Sequence, residues 1–147
     1  GNEYTNRVKE TFANEEVVNI SAEIEQQITE LGEQEAKDFM NDLQITETGL
    51  DRVIRSSYKA LNLSTYFTAG PEETRAWTIP MNCKAPDAAE VIHTDFKKGF
   101  IKAETISYKD FVECNGEAGA RDKGKLRIEG KEYLVQDGDI LHFRFNT

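Results

Sequence analysis

The spacing of apolar residues predicts a helical first part of the chain. Apolar side chains recur at intervals of three and four residues over 2–13, 35–43 and 49–62, which is the pattern of amphipathic helices. The paired valines of 16–20 predict a short strand, and Ser21 is placed to cap a further helix. A lone strand leaves backbone N–H and C=O groups without partners. This part therefore has the pattern of a piece of a larger α/β domain, and a frayed N-terminal extension is the alternative.

The helices predicted over 35–43 and 49–62 carry continuous apolar stripes. Thr48 precedes Asp51 by three residues, which has the form of a capping box at the start of the second helix. We expect the two helices to pack against each other as a hairpin. Their apolar stripes are then expected to form core rather than a binding surface.

The second part of the chain alternates apolar and polar residues in the manner of short strands. Segments 64–69 and 74–79 flank a Gly-Pro turn and predict a β-hairpin. A helix that begins at Pro86 and a strand over 100–106 follow. Trp77 lies in the second strand, where we expect it in the core rather than on a ligand-binding platform.

Several short elements complete the pattern of this second part. They are helical turns at 108–112 and 117–120, a strand at 125–128 onto which 133–135 pairs back, a turn at 137–139, and a last strand at 140–145. In the last strand Leu141, Phe143 and Phe145 share one face, and His142 and Arg144 share the other. The order β-β-α-β followed by short strands predicts an α+β fold of the β-grasp, ubiquitin-like type.

Charge is unevenly placed along the chain. The formal net charge is −9, and residues 1–50 account for all of it, with three basic and twelve acidic side chains. Residues 51–147 are balanced. The acidic excess argues against nonspecific nucleic-acid binding by the first third of the chain, whereas a local basic face remains open in the rest.

Composition and cysteine spacing indicate the kind of compartment in which the protein works. The 147 residues contain no run of about 18 apolar residues, which argues against a membrane span. The first residues are polar and acidic, which argues against a secretory signal peptide. Cys83 and Cys114 have no paired C-x-x-C spacing, so we expect free thiols in a reducing cytoplasm.

Three sequence stretches resemble one family. They are TYFTAGPEETRAWTI, the run from Ala85 to Glu104 with its core VIHTDFKKGFIKAE, and EGKEYLVQDGDILHFRFN. In this order they resemble the C-terminal TGS domain of the YchF family, the Obg-like ATPases, over residues 49–147. The stretch VVNISAE is similar to the family's serine–alanine loop, which follows the base-recognition motif. The resemblance implies three parts: the end of a P-loop nucleotide-binding domain over 1–31, a helical linker over 32–62 and the TGS domain over 63–147.

The resemblance also implies a chemistry that this chain cannot perform alone. The parent protein is expected to be a Mg²⁺-dependent ATPase that also accepts GTP, and it would supply its own nucleotide-binding domain. No G-x-x-x-x-G-K-[ST] sequence is present to cradle phosphates, and Ser21 and Ala22 would form one edge of a base pocket. We therefore expect no catalytic residues, no metal site, no cofactor and negligible ATP or GTP binding in this chain.

Basic residues interleaved with aromatic ones point to a nucleic-acid surface in the second part. TGS domains occur in proteins of translation, so the resemblance favours contact with the ribosome or its RNA. We expect five cations to contribute to this surface: Lys97, Lys98, Lys123, Lys125 and Arg127. A solvated face above a core of aromatic residues is the alternative reading of the same pattern.

The histidines and the fold class each allow a further interpretation. His93, Asp95 and His142 do not complete a zinc ligand set, so we interpret 93–95 as a cap or hydrogen-bonded turn between a helix and a strand. A small-ligand-sensing regulatory β-grasp domain is the alternative to the ribosome-contacting module. The sequence shows no convergence of polar residues on an apolar pocket that would favour this alternative.

Overall fold

The computed structural model of the chain describes residues 2–146. They form two compact units that divide between Leu61 and Asn62. The first unit holds helices α1 (Glu3–Thr11), α2 (Ala22–Glu30), α3 (Glu33–Asp42) and α4 (Gly49–Ala60). The second unit holds β1 (Leu63–Ala69), β2 (Thr74–Pro80), α5 (Ala85–Ile92), α6 (Thr94–Lys98), β3 (Phe100–Ser107), α7 (Tyr108–Glu113), α8 (Glu117–Asp122), β4 (Arg127–Glu129) and β5 (Asp139–Phe145). No described helix is both long and apolar enough to span a bilayer.

Side-chain caps fix the helix starts of the first unit close to the predicted positions. The hydroxyl of Ser21 accepts from the backbone N–H of Ile24 at 3.4 Å and begins α2. Thr48 accepts from the N–H of Asp51 at 3.1 Å and begins α4. The carboxylate of Asp51 accepts from the Thr48 hydroxyl at 2.7 Å, so it completes the cap through the side chain rather than the backbone.

The strand predicted over 16–20 is wrong. This segment carries no strand because no other described segment pairs with its backbone. It is held instead through Glu16, which accepts from Ser56 at 3.0 Å and pairs with Lys59 at 2.7 Å on α4. The hydrogen bond from Lys59, followed by that from Ser56, lowers the pKa of Glu16.

The apolar stripe of α4 is not core, contrary to the prediction. Leu50, Ile54 and Leu61 are 62%, 48% and 68% exposed, and Gly49 is the one buried residue of the four helices. Helix α3 packs mainly against α2 and makes at most marginal contact with α4, so the predicted α3–α4 hairpin is also wrong. Short helices without a sheet offer too little facing apolar surface to bury such stripes.

A five-stranded sheet with the order β2-β1-β5-β3-β4 organises the second unit. The predicted hairpin is confirmed, with β1 and β2 in continuous antiparallel register from Leu63 opposite Pro80 to Ala69 opposite Thr74. Strand β5 lies in the middle of the sheet, antiparallel to β3 along its length. It runs parallel to β1, where the paired register is the single contact of Phe67 with Ile140.

Helix α5 closes the core on one face of the sheet. Ala85, Ala88 and Ala89 are fully buried, and these small side chains let the helix lie close to the strands. Tyr66 is buried on β1, and its hydroxyl donates to the carbonyl of Ala88 at 2.8 Å. Trp77 packs at the margin of this core and is half-buried, with its N–H 2.9 Å from the Thr68 hydroxyl oxygen.

The alternation predicted for β5 is confirmed. Leu141 and Phe143 are 2% and 7% exposed on the core face, whereas His142 and Arg144 are exposed on the other. On that other face α7 and α8 bury a second, smaller cluster around Ile106. Both faces of the sheet are therefore used, with the larger core under α5.

The pairing predicted between 133–135 and 125–128 is wrong. Tyr133 accepts from the N–H of Ala85 at 2.9 Å, and Val135 donates to the carbonyl of Cys83 at 2.9 Å. The segment thus pairs with the residues just before α5, where Leu134 forms a bridge with Lys84. The start of a helix leaves backbone groups free, and this segment satisfies them.

Candidate functional site

The two residues predicted at the edge of a base pocket lie at the start of α2. Ser21 uses its side chain as the helix cap, and Ala22 is the first helical residue; both are exposed. Glu25, one turn further on, accepts from the backbone N–H groups of Gly49 and Leu50 at 2.7 and 3.3 Å. The helix that begins with Ser21 and Ala22 is therefore tied by a carboxylate to the positive end of α4.

The five predicted cations fall into two groups rather than one. Lys97 and Lys98 are on α6, just before β3 begins at Phe100. Arg127 lies opposite Thr105 near the other end of β3, with Lys123 and Lys125 just before it in the chain. Thr105 lies five positions after Phe100 along the strand, which is a distance of about 17 Å. The structure brings the members of each group together but does not join the groups.

The first group is largely neutralised by acidic neighbours. Lys97 lies 3.0 Å from Asp87 and 2.5 Å from Glu90, both on α5. These hydrogen bonds, the one to Glu90 first, raise the pKa of Lys97. Lys98 lies 3.5 Å from Asp95 on its own helix. A phosphate would have to compete with these carboxylates for the ammonium groups.

The second group contains one cation without a carboxylate near it. Lys125 pairs with Asp110 at 3.1 Å, and this hydrogen bond raises the pKa of Lys125. No carboxylate of a described residue lies within 4 Å of Lys123, which is exposed after α8. Of the predicted surface residues, Lys123 is thus the one most available to an anion.

Arg127 contributes to a polar network around a buried carboxylate. Its guanidinium lies 3.1 Å from the Tyr133 hydroxyl and 3.4 Å from Asp139, a carboxylate that is 3% exposed. Asp139 also accepts from the Tyr133 hydroxyl at 2.6 Å and from the N–H of Gln136 at 2.9 Å. Burial, followed by the bond to Asp139, raises the pKa of Tyr133 to about 12. Arg127 therefore joins β4 to β5 through the Asp139 carboxylate.

The interpretation of residues 93–95 as a hydrogen-bonded cap is confirmed, but the cap joins helix α5 to helix α6 and not a helix to a strand. His93 Nδ1 accepts from the backbone N–H of Asp95 at 3.2 Å and begins α6. Within residues 2–146, no three His, Cys, Asp or Glu side chains gather in a way that could hold a metal ion. Cys83 and Cys114 are free thiols, and burial raises the pKa of Cys83, which disfavours the reactive thiolate.

A cleft of about 480 Å³ opens beside the β1–β2 turn, a size typical of ligand sites. Its walls are mainly apolar, with Ile92 and Phe96 from the helices and Phe145 from β5. Phe96 and Phe145 stack with ring centroids 3.9 Å apart. The acidic turn residues Glu72 and Glu73 line it as well.

This cleft is not predicted from the sequence. Two signals for it were present: adjacent acidic residues directly after a Gly-Pro turn, and the aromatic alternation at the end of β5. Neither signal places the turn beside that end of β5. The cleft forms because β1 and β5 are paired at Phe67 and Ile140, after which β1 turns back into the hairpin while β5 continues.

Comparison with known proteins gives consistent matches. The model of the YchF-GTPase_C family, described as "Protein of unknown function (DUF933)", matches residues 63–146. The chain is 58% identical over 99% of its length to the Ribosome-binding ATPase YchF of Pasteurella multocida, and 51% identical over its full length to that of Bacillus subtilis. It covers 41% of each of these relatives.

A solved structure matches over nearly the whole chain. The Schizosaccharomyces pombe YchF GTPase superimposes with a TM-score of 0.83 at 37% identity, covering 97% of this chain and 39% of that one. The chain thus spans about two fifths of the length of the relatives that it matches. The family model covers more than half of the chain, and the sequence relatives agree with it. The chain belongs to the YchF-GTPase C-terminal family.

Proposed function

We propose that this chain is the ribosome-contacting, C-terminal part of a nucleotide-hydrolysing protein. The observation that carries the proposal is its match to two fifths of relatives named ribosome-binding ATPases, in a sequence without a phosphate-cradling P-loop. The parent would bind ATP or GTP with Mg²⁺ in a domain outside this chain and work in the cytoplasm. Residues 1–31 would be the end of that domain, 32–62 a linker and 63–147 the contacting domain.

We assign the contacting domain to the β-grasp, TGS type. The arrangement that supports this is a mixed sheet whose middle strand β5 is parallel to β1, with α5 packed across one face. The β1–β2 hairpin, the helix and then β3 follow in the order expected of this class. The first unit would be completed by the nucleotide-binding domain, since its helices leave apolar residues such as Leu50 and Ile54 exposed.

The proposal is tested by co-sedimentation of the purified chain with ribosomes over a salt series. We expect binding that weakens as salt rises, because contacts to a charged partner release counterions. Lys123→Glu is expected to weaken binding more than Lys97→Glu, since Lys97 is already held by two carboxylates. Lys37→Glu, on an exposed helix of the first unit, is the matched control. No sedimentation at low salt would refute a ribosome contact by this chain.

The nucleotide part of the proposal has its own test. Ser21 and Ala22 would provide one edge of a base pocket, with nothing in the sequence to bind phosphates. Isothermal titration of the chain with ATP or GTP and Mg²⁺ is expected to give no measurable heat of binding. Micromolar affinity would contradict this assignment.

A second candidate function is a small-ligand-sensing regulatory domain. The cleft of about 480 Å³ favours it, because its size and apolar walls suit a small molecule. A thermal-shift screen of metabolites distinguishes this candidate, since a ligand that binds the folded state raises the unfolding temperature. If an uncharged metabolite raises the unfolding temperature of the chain and does not change ribosome sedimentation, the regulatory domain is favoured over the ribosome-contacting function.

A further inference from the structure

The cleft between the hairpin turn and β5 has walls that suit one large apolar side chain. Phe143 and Leu141 are almost fully buried at its base, whereas Ile92, Phe96 and Phe145 are partly buried. Apolar surface left partly open in this way is stabilised when a further apolar group covers it. A volume of about 480 Å³ accommodates an aromatic side chain together with part of its backbone.

Among the described residues, the carboxylates of Glu72 and Glu73 line the cleft, and His142 is the other ionisable residue that lines it. Glu72 and Glu73 are exposed on the turn, and no Lys or Arg of the described residues lines the cleft. Neither carboxylate lies within 4 Å of a cation in the described part of the chain. The backbone carbonyl of Glu73 accepts from Gly70 at 2.9 Å, which fixes the turn and leaves both side chains free.

The five cations predicted to bind RNA do not oppose this acidic rim. Lys97, Lys98, Lys125 and Arg127 are each within 4 Å of a carboxylate, and none of the five lines the cleft. An RNA backbone approaching the cleft would meet two unpaired carboxylates, and like charges repel. A basic peptide would meet complementary charge at the rim and apolar walls below it.

We propose that this cleft binds a basic protein segment that inserts one aromatic or large aliphatic side chain. The lysines or arginines that flank the inserted residue would pair with Glu72 and Glu73. The inference rests on the proposed function, since it identifies the ribosome-side partner of this face as protein rather than RNA. Its chemistry follows a common mode of peptide recognition, in which an anchor fills a pocket and rim charges orient it.

The test uses the full chain and a labelled nonapeptide with a central phenylalanine and two lysines on each side. Fluorescence anisotropy is expected to show binding that weakens about tenfold or more when the phenylalanine is replaced by alanine, because burial of the ring is lost. The double variant Glu72→Lys, Glu73→Lys is expected to weaken binding by roughly tenfold. The matched control is Asp122→Lys, Glu113→Lys, on the surface of α7 and α8, which is expected to leave binding unchanged.

Backbone amide chemical shifts locate the site. Peptide addition is expected to move the amides of Gly70, His142 and Phe145. The inference is wrong if these amides stay fixed, if the alanine peptide binds equally well, or if single-stranded RNA moves them and the peptide does not. If neither excess peptide nor the double variant reduces ribosome sedimentation, the inference is wrong and the proposed function stands. If the peptide binds but the chain does not sediment with ribosomes, the proposed function is wrong. The partner of the cleft is then not a ribosomal protein.

Discussion

Removal of the buried carboxylate by Asp139→Ala is expected to destabilise the second unit severely. Asp139 is 3% exposed and accepts hydrogen bonds from Tyr133, Gln136 and Arg127. Alanine at this position would leave the hydroxyl of Tyr133 and the backbone N–H of Gln136 without their acceptor at a partly buried site. A buried donor that loses its partner costs more than the bond itself contributed.

The magnitude follows from the separate contacts. The hydroxyl of Tyr133 at 2.6 Å and the N–H of Gln136 at 2.9 Å each bond to a charged acceptor, worth about 1.5–3 kcal/mol. The side chain of Arg127 is 46% exposed, so solvent screening limits its share to about 0–1 kcal/mol. Since the three bonds share one carboxylate, we expect a total of about 3–4 kcal/mol. For a unit of this size that lowers the unfolding temperature by roughly 15–25 °C.

Guanidinium unfolding followed by tryptophan fluorescence measures this effect locally. Trp77 is the sole tryptophan and lies in the second unit, so its signal reports on that unit alone. Asp122→Ala, an exposed acidic residue on α8, is the control and is expected to change stability by less than about 0.5 kcal/mol. A double-mutant cycle with Tyr133→Phe should give a coupling of about 1 kcal/mol or more. A loss below about 1.5 kcal/mol for Asp139→Ala, or no coupling with Tyr133→Phe, would show that the Asp139 hydrogen bonds do not stabilise the second unit in this way.

Three further predictions concern other parts of the chain. The hydrogen bond from Arg144 lowers the pKa of Glu104 below its ordinary value of 4.5. The ionised Glu104 therefore stabilises the folded state above pH 4.5, and this stabilisation is lost as the pH falls through the folded-state pKa. Glu104→Gln should therefore flatten the acid limb of the stability profile below about pH 4.5. Gly99→Ala would place a Cβ in steric overlap with the backbone oxygen of Asn146 and should cost about 3 kcal/mol or more in thermal unfolding. Gly130→Ala, with open space around it, should be neutral. Glu25→Ala should remove about 1 kcal/mol of capping from α4, seen as faster hydrogen exchange in its first turn; unchanged exchange would contradict this.

The sequence was sufficient where local chemistry decides the structure. Thr48 and Ser21 carry the hydroxyls that cap helices, and both do so within one residue of the predicted start. The turn at 137–139 could be predicted because it contains a glycine. Gly138 adopts a φ of +82°, which glycine reaches without steric cost. The alternation of β5 was readable because one of its faces is buried.

Features that depend on distant partners were not readable from the sequence. A strand requires a neighbour, so the two valines of 16–20 could not show that their backbone finds no partner. Arg127 resembles any solvated cation until Asp139, twelve positions away, is brought beside it. The acidic rim at Glu72 and Glu73 acquires its apolar neighbours where β1 turns away from β5, and this geometry has no local signal.

The position of β5 in the middle of the sheet has a consequence for how the second unit folds. Phe67 and Ile140 are more than seventy positions apart in the chain, yet their pairing joins the two halves of the sheet. The local β1–β2 hairpin can form within microseconds, whereas β5 must close a long loop before its contacts are gained. Until it does, β1 and β3 each present an open edge to other chains. Substitutions in β5 that slow its docking should therefore raise aggregation during synthesis even where the finished fold is equally stable.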